Sequence, residues 1–167
     1  MTARARWLGA PLFFLVVVVA LCWRVVGGDR AFSWDALWGY WGDIATQIQA
    51  ARHGELPLWD PYDRCGYPFF ADPQPGSLYP FTWPLVALGL VAGTTWWLVA
   101  IKVMFHLWLW GLGMHVWLRR RGLPFAACAA AGVFCIVQYP TTHGMFSALN
   151  WGMAWAPWVV LALERWA

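Results

Sequence analysis

The chain has 167 residues, 61% of them hydrophobic and only 11% charged, against roughly 25% charge in an ordinary soluble domain, so composition argues against a protein built for water. Its formal net charge of +3 is the balance of 11 Lys and Arg against 8 Asp and Glu, and among the basic residues Arg4 and Arg6, Arg119 to Arg121 and Arg165 flank apolar runs. They form no basic stripe interleaved with aromatics, and that excludes a nucleic-acid-binding surface.

Sixteen Trp, ten Phe and five Tyr supply rings of the kind that collect at membrane interfaces. The apolar run over 7–26 is long enough, at 1.5 Å per residue, to cross a hydrocarbon core. Arg4 and Arg6 also suit the start of a cleaved signal peptide. The run is long for that, however, and Cys22-Trp23-Arg24 lacks a small-x-small cleavage site, so an uncleaved anchor is the expectation.

From residue 29 to about 81 the character changes. Seven of the eight carboxylates lie here, with Pro57, Pro61, Pro68, Pro73, Pro75 and Pro80 spaced through the second half. Trp34 to His53 has no proline, and Trp34, Leu37, Trp38, Trp41, Ile44, Ala45 and Ile48 recur near helical spacing, which predicts an amphipathic helix along the membrane surface. The segment 54–62 must be extended or turning, because proline disfavours helix for itself and its predecessor. Residues 82–91 form a short interfacial or re-entrant piece. Further spans are predicted over 95–118, 124–139 and 146–163, the last containing Pro157, which neighbouring helices in a membrane tolerate.

Basic residues prefer the cytoplasmic side of helix ends. With the N-terminus inside, the arginines at 4 and 6, at 119 to 121 and at 165 all fall on the cytoplasmic face, and the 29–81 loop falls outside. The expected fold is therefore an all-α, multi-pass membrane protein of about four transmembrane helices, with a long first extracytoplasmic loop that contains the surface helix. The whole chain forms a single membrane domain on this reading.

Asp43 and, one turn later, Gln47 sit on the predicted surface helix. A carboxylate held there can act as general base or orient an attacking hydroxyl; the plain alternative is a solvated residue on a polar face. Trp59-Asp60-Pro61-Tyr62 and Phe70-Ala71-Asp72-Pro73-Gln74 pair carboxylates with aromatic rings, which suits a sugar whose CH face stacks while its hydroxyls donate. Asp60, Asp63 and Asp72 are equally explained as turn formers, since Asp before Pro bonds local backbone. His143, in the second outside turn, is a candidate to approach Asp43. Lys102 is a charge inside a predicted span, expensive unless it meets a cavity or partner; pairing with a loop carboxylate, contact with a lipid phosphate and snorkelling to the outer interface all remain open. His106 and His115 are nine residues apart and do not share a helix face. Cys22, Cys65, Cys128 and Cys135 show no metal-ligand spacing, and no metal site is expected.

The run Gly42-Asp43, Gln47, Gly54-Glu55-Leu56-Pro57-Leu58-Trp59-Asp60-Pro61, Gly66-Tyr67-Pro68-Phe69, Ala71-Asp72-Pro73-Gln74 and Leu78-Tyr79-Pro80 resembles the first outside loop of the YfhO-like bacterial membrane proteins. The stretch from His143 to Pro157 is similar to that family's following helices. The resemblance covers most of the chain from about residue 38. It implies a relation to the GT-C glycosyltransferases, which transfer sugar from a polyprenyl-phosphate carrier at the outer face of the bacterial plasma membrane. Asp43 would take the catalytic position, with Gln47, Trp59, Asp60, Asp72, Gln74, Tyr79, Lys102 and His143 around the substrate. The implied partners are the carrier-linked sugar and membrane lipid, with no nucleic acid; whether a divalent cation takes part stays open. Because family members are several times longer, the chain is expected to be the N-terminal part of a GT-C-like fold. A non-catalytic membrane subunit or scaffold, bound to a membrane-protein partner, and an inactive remnant are the alternatives.

Overall fold

A computed structural model of the protein describes residues 3–32, 39–63, 65–94, 96–141 and 148–166. Its regular elements are helices: α1 (Ala3–Leu21), α2 (Trp23–Val26), α3 (Trp41–Arg52), a turn of 3-10 helix (Phe69–Ala71), α4 (Thr82–Ala92), α5 (Trp96–Arg120), α6 (Phe125–Thr141) and α7 (Ala148–Trp166). Among the described residues there is no strand, only an isolated antiparallel bridge between Asp60 and Tyr67. The chain divides into two compact units, one formed by residues 1–29 and 104–167 and the other by residues 30–103.

In the first unit α1 packs against α6, with Phe14 fully buried. Gly111 on α5 and Gly132 on α6 meet so closely that a Cβ on Gly132 would lie 2.6 Å from the Gly111 carbonyl oxygen and 2.6 Å from the Phe14 ring. Gly111 lies against Ile136, whereas His115, four residues further along α5, lies edge-on to Phe125 with ring centroids 5.0 Å apart. The α6 numbers fall as the α5 numbers rise, so the two helices run antiparallel. Against α7 the pairs rise together: His106 with Trp151 at 4.4 Å, Trp158 Nε1 donating to the Leu109 carbonyl at 3.0 Å, and Trp117 Nε1 donating to Glu164 at 3.1 Å. Arg121 pairs with the same carboxylate. Trp158 and Trp117 are half-buried, and each indole satisfies its one donor across the helix pair, as a partly buried Trp usually does.

In the second unit α3 packs on α4. Ile44 and Ile48, one turn apart, form a core with Leu85, Val86 and Leu98, flanked by Ala51, Phe81 and Trp83. Gly89 makes that packing close, since a Cβ there would collide with the Ile48 side chain. Between α3 and α4 the chain runs through tight turns, with Gly76 N donating to Pro73 O, Tyr79 N to Gly76 O, and Thr82 N to Tyr79 O.

Two expectations change. Four spans were expected, and α5 is the one described helix long and apolar enough to cross a membrane; the apolar helical stretches at Gly9–Leu21, Thr82–Ala92 and Phe125–Gln138 are shorter. The physical reason is where the helices break: α1 ends at Leu21 before Cys22, and the apolar stretch of α6 ends at Gln138; α4, 11 residues long or about 16 Å, is the short piece expected over 82–91. The helix expected from Trp34 to His53 is described from Trp41 to Arg52, with Trp34, Leu37 and Trp38 outside the described residues. Its Ile44 and Ile48 stripe is covered by α4 and Leu98, while Trp41, expected on that stripe, is exposed.

Candidate functional site

All of the site's described geometry lies in the second unit. The first turn of α3 carries Asp43, and Thr46, three residues on, shares its face. Asp60 Oδ2 accepts a hydrogen bond from Thr46 Oγ1 at 3.1 Å and Asp60 Oδ1 accepts from Tyr62 N at 2.8 Å. Asp60 and Tyr67 also exchange both backbone hydrogen bonds at 3.0 Å, which closes the 60–67 hairpin against α3. Further along, Asp72 Oδ1 accepts from Gln74 N at 2.8 Å, a turn of the kind that Asp makes two residues ahead of a backbone donor.

These constraints bring Asp43, Thr46, Asp60, Asp63, Asp72 and Gln74 around one cavity of about 390 Å³, with Tyr62 and Tyr67 on its wall. The carboxylates separated in sequence by 29 positions thus share one concave surface. Among the described residues no group of three His, Cys, Asp or Glu side chains is arranged to hold a metal ion. Asp60 and Asp72 form turns as well as walls, so the two readings of these residues hold together.

A broader cleft of about 940 Å³ lies beside it and shares Ala45, Thr46, Asp60 and Tyr62 with the first. Trp59 lines this cleft and is 57% exposed. Its indole is backed by Gly66, where a Cβ would come within 2.9 Å of the ring and where φ is +97°; glycine meets both demands at once.

Gln47 and Lys102 sit elsewhere. Gln47 is fully buried, with Nε2 donating to the Pro75 carbonyl at 3.2 Å, and it joins α3 to the turn that carries Asp72 and Gln74. Lys102 is only 3% exposed. Its ammonium lies 5.7 Å from the centroid of the Tyr40 ring, interacts electrostatically with Asp43, and lies 3.6 Å from the point a Cβ on Gly76 would occupy. The ammonium is thus buried among protein groups, with Asp43 the carboxylate that acts on it. Tyr79 is half-buried outside the lining of either cavity, its ring 6.5 Å from that of Phe81. His143 lies outside the described residues. His106 and His115 are buried in the first unit against Trp151, Phe14 and Phe125.

Sequence reasoning missed Thr46, Tyr62 and Tyr67. The spacing of Thr46 from Asp43 could have found the first, because residues three apart are neighbours on a helix; the two tyrosines are placed by a hairpin closure that no local pattern announces. Together the helices and the acidic, tyrosine-walled cavity define an all-helical protein, among its described residues, with a polar pocket mounted on a short helix buried along one face. The chain matches no protein-family model, no curated protein and no solved structure.

Proposed function

We propose that the chain carries the outer-face site of a multispanning glycosyltransferase that takes sugar from a polyprenyl-phosphate carrier in the bacterial plasma membrane, with Asp43 as the working carboxylate. The observation that carries this reading is the gathering of Asp43, Asp60, Asp63, Asp72 and Gln74 around one cavity, of a size in the range of small-ligand sites. Carboxylates and an amide accept hydrogen bonds from hydroxyls, and the neighbouring Trp59 ring presents an exposed apolar surface to a sugar's CH face. In the reaction Asp43 takes the proton of an acceptor hydroxyl as its oxygen bonds to the anomeric carbon. The bond from that carbon to the carrier phosphate breaks, and the phosphate leaves with the electron pair.

The membrane assignment is supported by α5 and by exposed apolar rows on other helices of the first unit: Leu12 and Val16 on α1, Phe134 and Val137 on α6, and Trp155, Val159 and Leu163 on α7. Residues four apart lie on one helix face, and such rows suit lipid. On this reading α1, α5, α6 and α7 all cross, with the N-terminus in the cytoplasm and the cavity outside. A non-catalytic subunit that binds a membrane-protein partner is the second reading, favoured by the exposure of Leu56, Leu58 and Tyr62 beside Trp59.

The test is transfer of radiolabelled sugar from polyprenyl-phosphate donors in membranes that hold the protein as its host makes it. Asp43→Asn is expected to lower transfer by about 100-fold or more, the range of a general base, with membrane insertion unchanged. Transfer retained in Asp43→Asn, with the protein present at the parent level, would remove the catalytic assignment and favour the subunit reading.

A further inference from the structure

Four carboxylates around one small cavity repel one another, and a group left without compensation takes up a proton. Asp60 and Asp72 accept hydrogen bonds from a hydroxyl and from backbone N–H groups. Asp43 differs, because it acts on a full positive charge, the buried ammonium of Lys102. That charge comes from α5, 59 positions away in sequence.

The surroundings of Lys102 are built to hold an ammonium, which has three donors and no acceptor. The Tyr40 ring presents its π system at 5.7 Å. Thr82 Oγ1 and Lys102 Nζ lie 3.4 and 3.6 Å from the same point beside Gly76, which places them within about 7 Å of each other. Thr82 is fully buried and its hydroxyl has no hydrogen-bond partner among the described residues; the same holds for Ser77 Oγ and for Gln47 Oε1. Of these three buried oxygens, the Thr82 hydroxyl is the one that shares the space beside Gly76 with the Lys102 ammonium. Gly76 itself has φ +69°, a backbone that L side chains avoid, and that turn brings the chain into ordinary contact distance of the Thr82 hydroxyl, Tyr79 and the Lys102 ammonium.

We propose that Lys102 is the positioning residue of the site: from its pocket of Tyr40, Gly76 and Thr82 its ammonium supplies the counter-charge that keeps the Asp43 carboxylate ionised on the cavity wall. The inference deepens the reading of Asp43 as the working carboxylate, and the charge pair can be tested without any sugar. Lys102 acts through Asp43 and has no contact with substrate. The other titratable groups that line the Asp43 cavity are Asp60, Asp63, Asp72, Tyr62 and Tyr67, so the carboxylates make the local field more negative and Lys102 opposes them.

The experiment is isotope-edited infrared titration of the full chain in detergent, labelled with 13C-aspartate, in which the difference against Asp43→Asn isolates the Asp43 band. In Lys102→Met the carboxyl band of Asp43 is expected to appear at a pH about one to three units higher than in the parent, the shift an adjacent opposite charge produces. Lys102→Arg is expected to restore most of the parent behaviour, a rescue that a packing role would not give. An Asp43 band with the same midpoint in the parent and in Lys102→Met would overturn the proposal. Should Lys102→Met fail to fold, the double variant Lys102→Met with Asp43→Asn decides: a folded double variant supports the pair, and one as unstable as Lys102→Met alone overturns it. If the titration shift is found while Asp43→Asn still transfers sugar, the charge pair stands and the catalytic assignment falls.

Discussion

The helix that carries Asp43 is held by a contact that admits a quantitative test. Gly89 on α4 faces Ile48 on α3, and the nearest atom to a Cβ built on Gly89 is Ile48 Cδ1, with Cγ1 next at 2.9 Å and Leu98 Cδ1 at 3.1 Å. Gly89→Ala gains about 1 kcal/mol from helix propensity and loses about 1–3 kcal/mol to overpacking, so the net expectation is a loss of about 0–2 kcal/mol. Ile48→Val deletes the offending Cδ1 from a fully buried side chain and costs about 0.5–1.5 kcal/mol alone. In the double variant the main clash is gone while the propensity gain remains. The double variant is therefore expected to cost less than the sum of the single ones by about 1 kcal/mol or more, well outside the additivity of independent sites. Thermal unfolding of the full chain in one detergent reads this as a gap of roughly 2–4 °C per kcal/mol for a chain of this size, and hydrogen exchange of the α3 amides locates it. Additive single effects would show that Gly89 and Ile48 do not touch and that α3 is not seated on α4 as described.

Two further outcomes are expected. Thr46→Val removes one of the two hydrogen bonds to Asp60 and should cost about 1–2 kcal/mol, whereas Asp60→Ala strands the Tyr62 N–H as well and should cost about 2–3 kcal/mol; limited proteolysis within 60–67 reads both, and equal cleavage in parent and variants would count against the hairpin closure. Hydrogen bonds from Arg121 first and Trp117 second hold the Glu164 carboxyl below the usual carboxylate range. A lowered folded-state pKa stabilises above the unfolded value and is lost as pH falls through the folded one. The parent should therefore lose stability through this group as pH falls below about 4.3, the ordinary glutamate value, toward the lowered folded one, and Glu164→Gln should flatten that part of the profile; an unchanged slope would refute the assignment.

Local periodicity made part of this fold legible. The one-turn spacing of Ile44 and Ile48 marks the buried face of α3, and the long, mostly apolar run before Arg119 to Arg121 marks α5. The proline-spaced segment after Gly54 holds no α-helix until Thr82, because proline removes a donor and constrains its predecessor. Gln47 lies three positions from Ile44, on the apolar face, and is buried; a buried amide that bridges to a carbonyl reads locally like an exposed one, so polarity alone does not reveal its place. The helix end at Leu21 was not visible in hydropathy, since the run stays apolar across Cys22, whereas the end of α4 at Ala92 falls within one residue of the expected 91. Nor does any local pattern join Lys102 to Asp43 or Asp72 to α3, because those meetings depend on turns closing 29 to 59 residues of chain.

The charge of the cavity bears on how a carrier-linked sugar would lie in it. Hydroxyls donate to carboxylates, whereas phosphate oxygens are repelled by them, and walls of low dielectric strengthen both effects. On the proposed reading the sugar's hydroxyl edge therefore faces Asp60, Asp63 and Asp72, its CH face turns toward Trp59, and the carrier phosphate stays outside the acidic wall. Lys102 does not relieve that repulsion for a ligand, because its side chain is buried and does not line the cavity. Its charge serves the protein's own carboxylate. The phosphate of the donor must then find its counter-charge beyond this cavity, so replacing Lys102 should alter the protonation of Asp43 much more than the affinity for donor, and that separation divides a positioning residue from a phosphate ligand.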